Sequence, residues 1–162
     1  MKIGVISDTH SIGNEICMPQ KMIEDFKDID MLIHAGDIVD LAFLNKLKDI
    51  YPNVKAVWGN MDPCEVRRAL PQKEIISLSK YKIGLMHGWG APSKLIDLLK
   101  QSFKDDNVNI IIFGHSHQPM NETIDGVLYF NPGSPTDKIF APYNSYGIMR
   151  VNDRIEAEII KL

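Results

Sequence analysis

The length, composition and charge of the chain indicate one globular domain and exclude several classes of protein. Its 162 residues fit a single domain, 1–162, and the 44% apolar and 24% charged residues are ordinary for a soluble protein. The net charge of −3 supplies no basic field, so neither a nucleic acid nor a membrane is an expected partner. The apolar stretch at 3–6 is too short for a signal peptide, and no run approaches the roughly 20 residues that span a bilayer. A cytoplasmic location is therefore expected.

The two cysteines, Cys17 and Cys64, cannot build a disulfide framework. In a chain of this size they are expected to be free thiols in a reducing compartment. Cys64 is expected to be buried and inert, because the sequence offers no spare base to activate it.

The first half of the chain predicts alternating strands and helices. Short apolar runs at 2–7, 31–35 and 54–58 predict buried strands. Helical spacing predicts a helix from about Pro19 to Phe26 after an irregular stretch from Asn14, and a second from about 40 to 50 that Pro52 ends. This order implies parallel strands joined by right-handed crossovers.

The second half of the chain predicts hairpins around one further helix. Strands are expected at 74–78, 82–86, 109–113, 122–124, 127–130, 145–151 and 154–160, with a helix from Pro92 to about Phe103. Asp125–Gly126 is a tight-turn signal, and the last strand alternates apolar and charged residues. We expect one α/β domain in which two sheets pack together, mostly parallel early and mixed later, with helices outside.

Side chains of metal-ligand type recur where the predicted strands end. They are Asp8, His10, Asp37, Asn60, Asp62, His87, His115 and His117. Ligands of an open α/β sheet bind beyond the carboxyl ends of its strands, so the fold can gather these scattered residues. Asp8 and His10 are two apart, as are His115 and His117, and in extended chain such pairs point to the same side. Each pair is therefore expected to be able to reach one ion.

The ligand set indicates a catalytic metal site. Carboxylates, imidazoles and one amide oxygen, without thiolate, suit Mn²⁺, Fe or Zn²⁺ with open coordination positions and do not suit structural zinc. A shared carboxylate can bridge two ions about 3.5–4 Å apart, and a water held between them loses a proton near neutral pH. The pattern thus predicts hydrolysis of a phosphate ester by such a hydroxide.

The motif order D-x-H, G-D, G-N-x-D, H-G and G-H-x-H resembles that of the calcineurin-like metallophosphoesterases. The short chain and the Asn-Pro-Gly-Ser segment at 131–134 are similar to the small bacterial and archaeal phosphodiesterase branch of that superfamily. The resemblance implies a four-layer α/β/β/α sandwich of two mixed sheets. It also implies two divalent ions, with Mn²⁺ favoured and Fe, Zn or Ni as alternatives, and a homodimer or higher oligomer.

The resemblance assigns the ligands to two ions. The first ion would take Asp8, His10, Asp37 and His117. The second would take Asp37, Asn60, His87 and His115. Asp37 would bridge the ions and hold the nucleophilic hydroxide, and Asn60, Met61 and His115 would contact a small-molecule phosphodiester.

One position departs from many phosphomonoesterases of the superfamily, which have a histidine where this chain has Met61. That histidine can protonate the leaving group, and methionine cannot. General acid catalysis contributes about 10²–10⁴-fold, so this chain should favour diesters whose leaving group departs without help. Asp62 is expected behind the ligands, orienting Asn60 or His10.

Several residues have plainer interpretations. The ligand-type side chains could merely cap strand ends, which their joint order argues against. His34 is expected to be a hydrogen-bonded core residue, and Trp58 and Trp89 to pack. The Arg pair at 67–68 could form a solvated face or steer phosphate, and 131–134 could be a tight turn or line the pocket.

A protein-interaction scaffold is the competing hypothesis from another class. The scaffold subunit of the retromer sorting complex is similar in fold and length. Relatives of that kind tend to lose ligands, whereas this chain retains His10, Asn60 and His115. A metal-bound regulatory module with negligible turnover is a third possibility.

Overall fold

The computed structural model describes residues 1–11, 18–51 and 53–162. In chain order the strands of this part are β1 (Lys2–Ile6), β2 (Met31–His34), β3 (Val54–Ala56), β4 (Lys73–Leu78), β5 (Tyr81–Met86), β6 (Ile110–Ile112), β7 (Met120–Ile124), β8 (Val127–Asn131), β9 (Ser145–Val151) and β10 (Ile155–Lys161). The helices are α1 (Gln20–Asp25), α2 (Leu41–Ile50), α3 (Cys64–Ala69) and α4 (Leu95–Phe103), and a 3-10 turn at Pro92–Lys94 precedes α4.

The first sheet has the strand order β10–β9–β1–β2–β3. Strands β1, β2 and β3 are parallel, with Val5 opposite Ile33 and Ile33 opposite Lys55. Strands β9 and β10 extend the sheet in antiparallel fashion. Helices α1 and α2 connect the parallel strands, so the parallel opening predicted from the sequence is confirmed.

The second sheet has the strand order β4–β5–β6–β8–β7. Its inner strands β5, β6 and β8 are parallel, and β4 and β7 pair antiparallel at the two edges. The β7–β8 turn uses Asp125 and Gly126, both at positive φ (51° and 81°), as a two-residue hairpin turn requires.

The two sheets face each other and helices cover their outer faces. Between the sheets lies an aliphatic core to which β1, β2, β5, β6 and β9 contribute, and the inward face of β10 (Ile155, Ala157, Ile159) packs against it. A second core joins the first sheet to α1 and α2, and a third joins the second sheet to α4. These layers are the predicted α/β/β/α sandwich.

The clearest departures from the predicted elements are α3 and the end of β3. Helix α3 was not predicted, because Val66 is its only buried residue and leaves no helical periodicity to detect. Strand β3 ends at Ala56, earlier than predicted. The irregular stretch from Asn14 to Cys17 and the helix-ending role of Pro52 lie outside the described residues. Within the described part, no helix is long and apolar enough to cross a bilayer.

Candidate metal centre

The candidate site lies where the loops after β1, β2, β3, β5 and β6 meet. Backbone hydrogen bonds tie neighbouring loops together: the Asp8 amide donates to the Gly36 carbonyl at 3.0 Å, and the Gly114 amide donates to the His87 carbonyl at 3.2 Å. The His115 amide also donates to the Asp8 carboxylate at 3.2 Å, which joins the two sheets at this edge. The predicted convergence of the motifs at strand ends is therefore observed.

The backbone of the site is left-handed at five of its eight ligand-type residues. Asp8, His10, Asp37, His115 and His117 have φ between 44° and 69°, and they are five of the nine described non-glycine residues with positive φ. Such conformations cost of order 1–3 kcal/mol each and cluster at functional sites. The expectation that the two-apart pairs sit on extended chain is wrong. The turns nonetheless bring Asp8 and His10 to one cluster.

Two triads of ligand-type side chains share one carboxylate. The triads are Asp8–His10–His117 and Asp8–Asp37–His87, and within each the ligand atoms lie within 4.8 Å of one another. Asp8 Oδ1 is 3.0 Å from His87 Nε2 and 3.3 Å from His117 Nε2. Asp37 Oδ2 is 3.6 Å from His87 Nε2 and 3.8 Å from His10 Nε2. Each carboxylate thus lies between imidazoles of the two predicted ion sites.

Burial and neighbouring charge set the protonation of these groups. Burial alone would raise the pKa of Asp8, but hydrogen bonds to His117 and His87 outweigh it and hold that pKa well below its usual range. Burial raises the pKa of Asp37, which His87 only partly offsets. Two adjacent buried carboxylates repel one another, so a cation between them would favour the ionised form of both.

Asp137 is a site residue that the sequence analysis missed. Its Oδ2 lies 2.5 Å from His117 Nδ1 and also accepts the Phe140 and Ala141 amides. The Asp8 hydrogen bond, with support from Asp137, raises the pKa of His117 to about 9. This carboxylate–histidine pair leaves His117 Nε2 facing Asp8, which is the arrangement that supports metal-ligating histidines.

Asn60 and His115 form a pair beside the triads. His115 Nδ1 is 2.8 Å from Asn60 Oδ1, and His115 Nε2 is 2.7 Å from the Gly90 carbonyl. The His115 and His87 rings lie 5.4 Å apart. The structure therefore brings the predicted second-ion residues together, with Asn60 and His115 facing each other and His87 facing the carboxylates.

Asp62 braces the backbone of the site. Its carboxylate accepts the amides of Gly59, Asp37 and Val39 at 2.7, 3.1 and 2.6 Å. Asp62 was expected to orient the side chain of Asn60 or His10, and its carboxylate instead contacts these backbone amides. Gly59 is required here, because a Cβ at this position would lie 2.2 Å from Asp37 Oδ1.

Arg67 holds the same loop from outside. It donates to the carbonyls of Asp62 and Asn60, both at 2.7 Å, and lies over the Trp58 ring. Arg67 is thus neither a purely solvated charge nor a residue of the cavity wall. Arg68 is exposed.

The segment at 131–134 is buried under the ligand loops. Ser134 Oγ donates to the Asp8 carbonyl at 2.7 Å, and Asn131 Nδ2 donates to the Gly114 carbonyl at 2.9 Å. The segment therefore supports two ligand loops, and neither lines the cavity nor serves only as a turn.

His34 is a satisfied core residue, as expected. Its Nδ1 accepts the Gly36 amide, and its Nε2 lies 3.0 Å from the Thr9 hydroxyl. Burial lowers the pKa of His34 to about 3, which keeps the imidazole neutral.

A cavity of about 770 Å³ opens over the triads. Its lining residues are Thr9, His10, Asp37, Asn60, Met61, Pro92, His115, Ser116, His117, Thr136, Asp137, Lys138, Ile139 and Phe140. Met61 faces this space with 61% of its surface exposed. Trp89 is also exposed, at 44%, so the expectation that it packs is wrong, and Cys64 is exposed where a buried thiol was expected.

The residues present fit divalent metal ions. His10 Nε2 is buried and has no hydrogen-bond partner, although Asp37 Oδ2 lies only 3.8 Å away. Buried polar atoms are normally satisfied, and an ion between these groups would satisfy this one. The carboxylates and imidazoles are of the type that Mn²⁺, Fe and Zn²⁺ accept.

Comparison with known proteins identifies the class to which this fold and site belong. The family model described as the calcineurin-like phosphoesterase superfamily domain matches residues 1–154, and the chain belongs to that superfamily. Family membership implies phosphoester hydrolysis with divalent metal ions.

Individual relatives show how far the likeness extends. A probable metallophosphoesterase of Methanocaldococcus jannaschii is 38% identical over all of this chain and 82% of its own length. A phosphodiesterase of the same archaeon is 31% identical, covering 82% of this chain and 83% of its own. The structure of Vps29 from Chaetomium thermophilum superposes with a TM-score of 0.80 at 21% identity, over 99% of this chain and 96% of that one, which is a likeness of fold.

Proposed function

We propose that this protein is a dinuclear metal-dependent phosphodiesterase acting on a small-molecule phosphodiester. The observation that carries the proposal is the pair of triads at the base of the cavity, with Asp8 common to both. One relative is named a phosphodiesterase, which supports this choice within the superfamily.

The carboxylates and imidazoles would hold two ions in the predicted sets. Asp37 is proposed to bridge, because its Oδ2 lies between His10 of the first set and His87 of the second. When bound, the two ions would polarise the phosphoryl oxygens and lower the pKa of a water so that it can attack phosphorus. Mn²⁺ is the proposed metal.

The remaining polar residues would orient the substrate. Asn60 and His115 line the cavity next to the triads, where they can contact phosphoryl oxygens. An imidazole that donates to a developing negative charge stabilises the transition state. Asp137 would keep the Nδ1 proton on His117, so that Nε2 remains directed at Asp8.

Met61 favours diesters over monoesters. It is exposed to the cavity at the position where many phosphomonoesterases of the superfamily have a histidine that can protonate the leaving group, and a thioether donates no proton. Leaving groups of low pKa, such as nitrophenolate, depart without that help. The site should therefore hydrolyse activated diesters and process poor leaving groups slowly.

The test compares purified protein with Mn²⁺ on bis(4-nitrophenyl) phosphate and 4-nitrophenyl phosphate, with metal content measured in parallel. We expect higher kcat/KM for the diester. The variant Met61→His should raise monoester turnover by at least about tenfold, within the range of general acid catalysis, and Met61→Leu should not. A wild-type preference for the monoester would contradict the inference from Met61.

A scaffold that binds metal without catalysis is the second candidate. The observation in its favour is the fold likeness to Vps29, a vacuolar protein sorting protein. The same assay distinguishes the enzyme from the scaffold. Absence of turnover with every divalent ion tried would contradict the enzyme hypothesis and favour the scaffold hypothesis.

A further inference from the structure

The cavity over the metal centre has an apolar rim as well as a polar base. The apolar rim consists of Met61, Ile139 and Phe140, which are 61%, 81% and 71% exposed. All three line the same cavity as His10, His115 and His117. Large apolar side chains exposed together beside a polar centre mark a surface that a ligand covers.

The backbone beneath the apolar rim is held in place. The Asp137 carboxylate accepts the amides of Ile139, Phe140 and Ala141 at 2.9, 3.0 and 2.8 Å, and Asn144 Nδ2 donates to the Asp137 carbonyl at 2.6 Å. The exposure of Ile139 and Phe140 therefore belongs to an anchored loop.

The apolar rim is coupled to the metal centre at both ends. The Asp137 carboxylate that anchors the loop also contacts His117, and the Phe140 ring lies edge-on to the His117 ring at 5.8 Å. On the other side, the Met61 amide donates to Asp37 Oδ1 at 2.7 Å. A group resting on the apolar rim would thus lie directly beside a phosphate bound at the triads.

The lining and the size of the cavity suit a small ligand with an apolar arm. Lys138 precedes Ile139 in the chain and lines the same cavity, so it adds a cationic side chain to a lining that also holds the carboxylates of Asp37 and Asp137. The cavity volume of about 770 Å³ lies in the range that holds a small organic ligand.

We propose that the apolar rim selects phosphodiesters that carry a planar aromatic ester group, which packs on Phe140, Ile139 and Met61. This inference rests on the proposed function, since the phosphate must sit at the triads for the aromatic group to reach the apolar rim. Phe140 would contribute most, because aromatic rings pair favourably in offset-stacked or edge-to-face arrangements.

The test measures binding of diphenyl phosphate and dimethyl phosphate to the Mn²⁺-loaded protein by calorimetry. Phenol is a poor leaving group, so diphenyl phosphate persists during the titration. Stacking of one ring on an aromatic side chain is expected to strengthen binding by about tenfold or more. The wild type should bind diphenyl phosphate at least about tenfold more tightly, and Phe140→Ala should remove most of that preference.

The control is Ile50→Ala, which truncates a side chain of similar exposure (50%) on α2, outside the cavity lining. It should keep the wild-type preference. In parallel, Phe140→Ala should raise KM for bis(4-nitrophenyl) phosphate more than it lowers kcat.

The outcomes separate this inference from the proposed function. Hydrolysis of the aryl diester with equal affinity for the two phosphates, or an unchanged preference in Phe140→Ala, overturns the apolar-rim proposal alone. Absence of hydrolysis with every divalent ion overturns both.

Discussion

At the scale of single residues, the proposed metal-ligating histidines depend on neighbouring groups that fix the orientation of their rings. His117 reaches Asp8 with Nε2 because Asp137 holds Nδ1. His87 is held in a similar way, with Nδ1 3.1 Å from the Gly88 carbonyl and Nε2 on Asp8. In both rings one nitrogen is committed to the protein, which leaves the other for a metal ion.

Replacing Asp137 by Asn should weaken metal binding by about 10–100-fold, the usual cost of losing such a supporting carboxylate. Asparagine keeps one side-chain oxygen, which can accept the Phe140 and Ala141 amides at the Oδ2 position, so the loop should lose only the Ile139 bond at Oδ1. Titration of Mn²⁺ into the metal-free protein measures the effect.

The matched control for that variant is Asp125→Asn, which removes only an exposed ion pair with Lys100. Asparagine tolerates the positive φ of position 125. Equal Mn²⁺ affinity of the two variants would show that Asp137 does not support the metal centre.

The pKa of His117 predicts how metal binding depends on pH. With its pKa raised to about 9, His117 is protonated at neutral pH in the metal-free protein, and a metal ligand must be neutral. Metal affinity should therefore rise between pH 6.5 and 8.5, by up to about tenfold per pH unit for each proton released. Calorimetry in two buffers with different ionisation heats counts that proton. Flat affinity with no proton release would contradict the assignment of His117.

The raised pKa of His117 has the opposite effect on the folding of the metal-free protein, whose stability should fall as the pH rises. The stabilisation from protonated His117 is fully present below the unfolded pKa of 6.5 and is lost as pH rises through about 9. Alkaline pH thus weakens the metal-free fold and strengthens metal binding.

At the scale of elements, buried strands were predictable and loop conformations were not. Strands β1, β2 and β6 are short, mostly apolar runs, and glycine or polar residues follow soon after each, so the sequence marks where they stop. Helix α2 shows a clear apolar face, and Asp40 caps it. Helix α3 has too few buried residues to show a period.

The sequence identified the ligand-type residues that the structure gathers at the site, but it did not identify Asp137, which supports one of them. Glycine-flanked motifs with characteristic order mark the ligand-type residues, whereas Asp137 stands in an irregular segment without a recognisable spacing. The left-handed turns at Asp8 and His10 arise from tertiary hydrogen bonds to the loop after β2, such as His10 amide to Asp37 carbonyl. Such contacts between distant segments cannot be predicted from the local sequence.

At the scale of the whole molecule, two sheets meet so that loops from both build one centre. The first sheet supplies Asp8, His10 and Asp37, and the second supplies His87 and His117. Assembly of the site therefore depends on the core that packs the two sheets together. The likeness to Vps29 is one of fold, so the proposed chemistry depends on these side chains and on the ions that they are proposed to hold.

The most direct test of a dinuclear centre is the number of Mn²⁺ ions bound per chain, with Asp37→Asn as the decisive variant. Asparagine retains a side-chain oxygen for the Met61 amide and tolerates the left-handed backbone, while it removes the charge proposed to bridge the ions. Asp49→Asn, on the exposed face of α2, is the control. We predict two ions per chain and diester hydrolysis for the wild type and the control, and loss of at least one ion with hydrolysis abolished for Asp37→Asn. An Asp37→Asn protein that binds two ions and remains active would contradict the bridging role of Asp37.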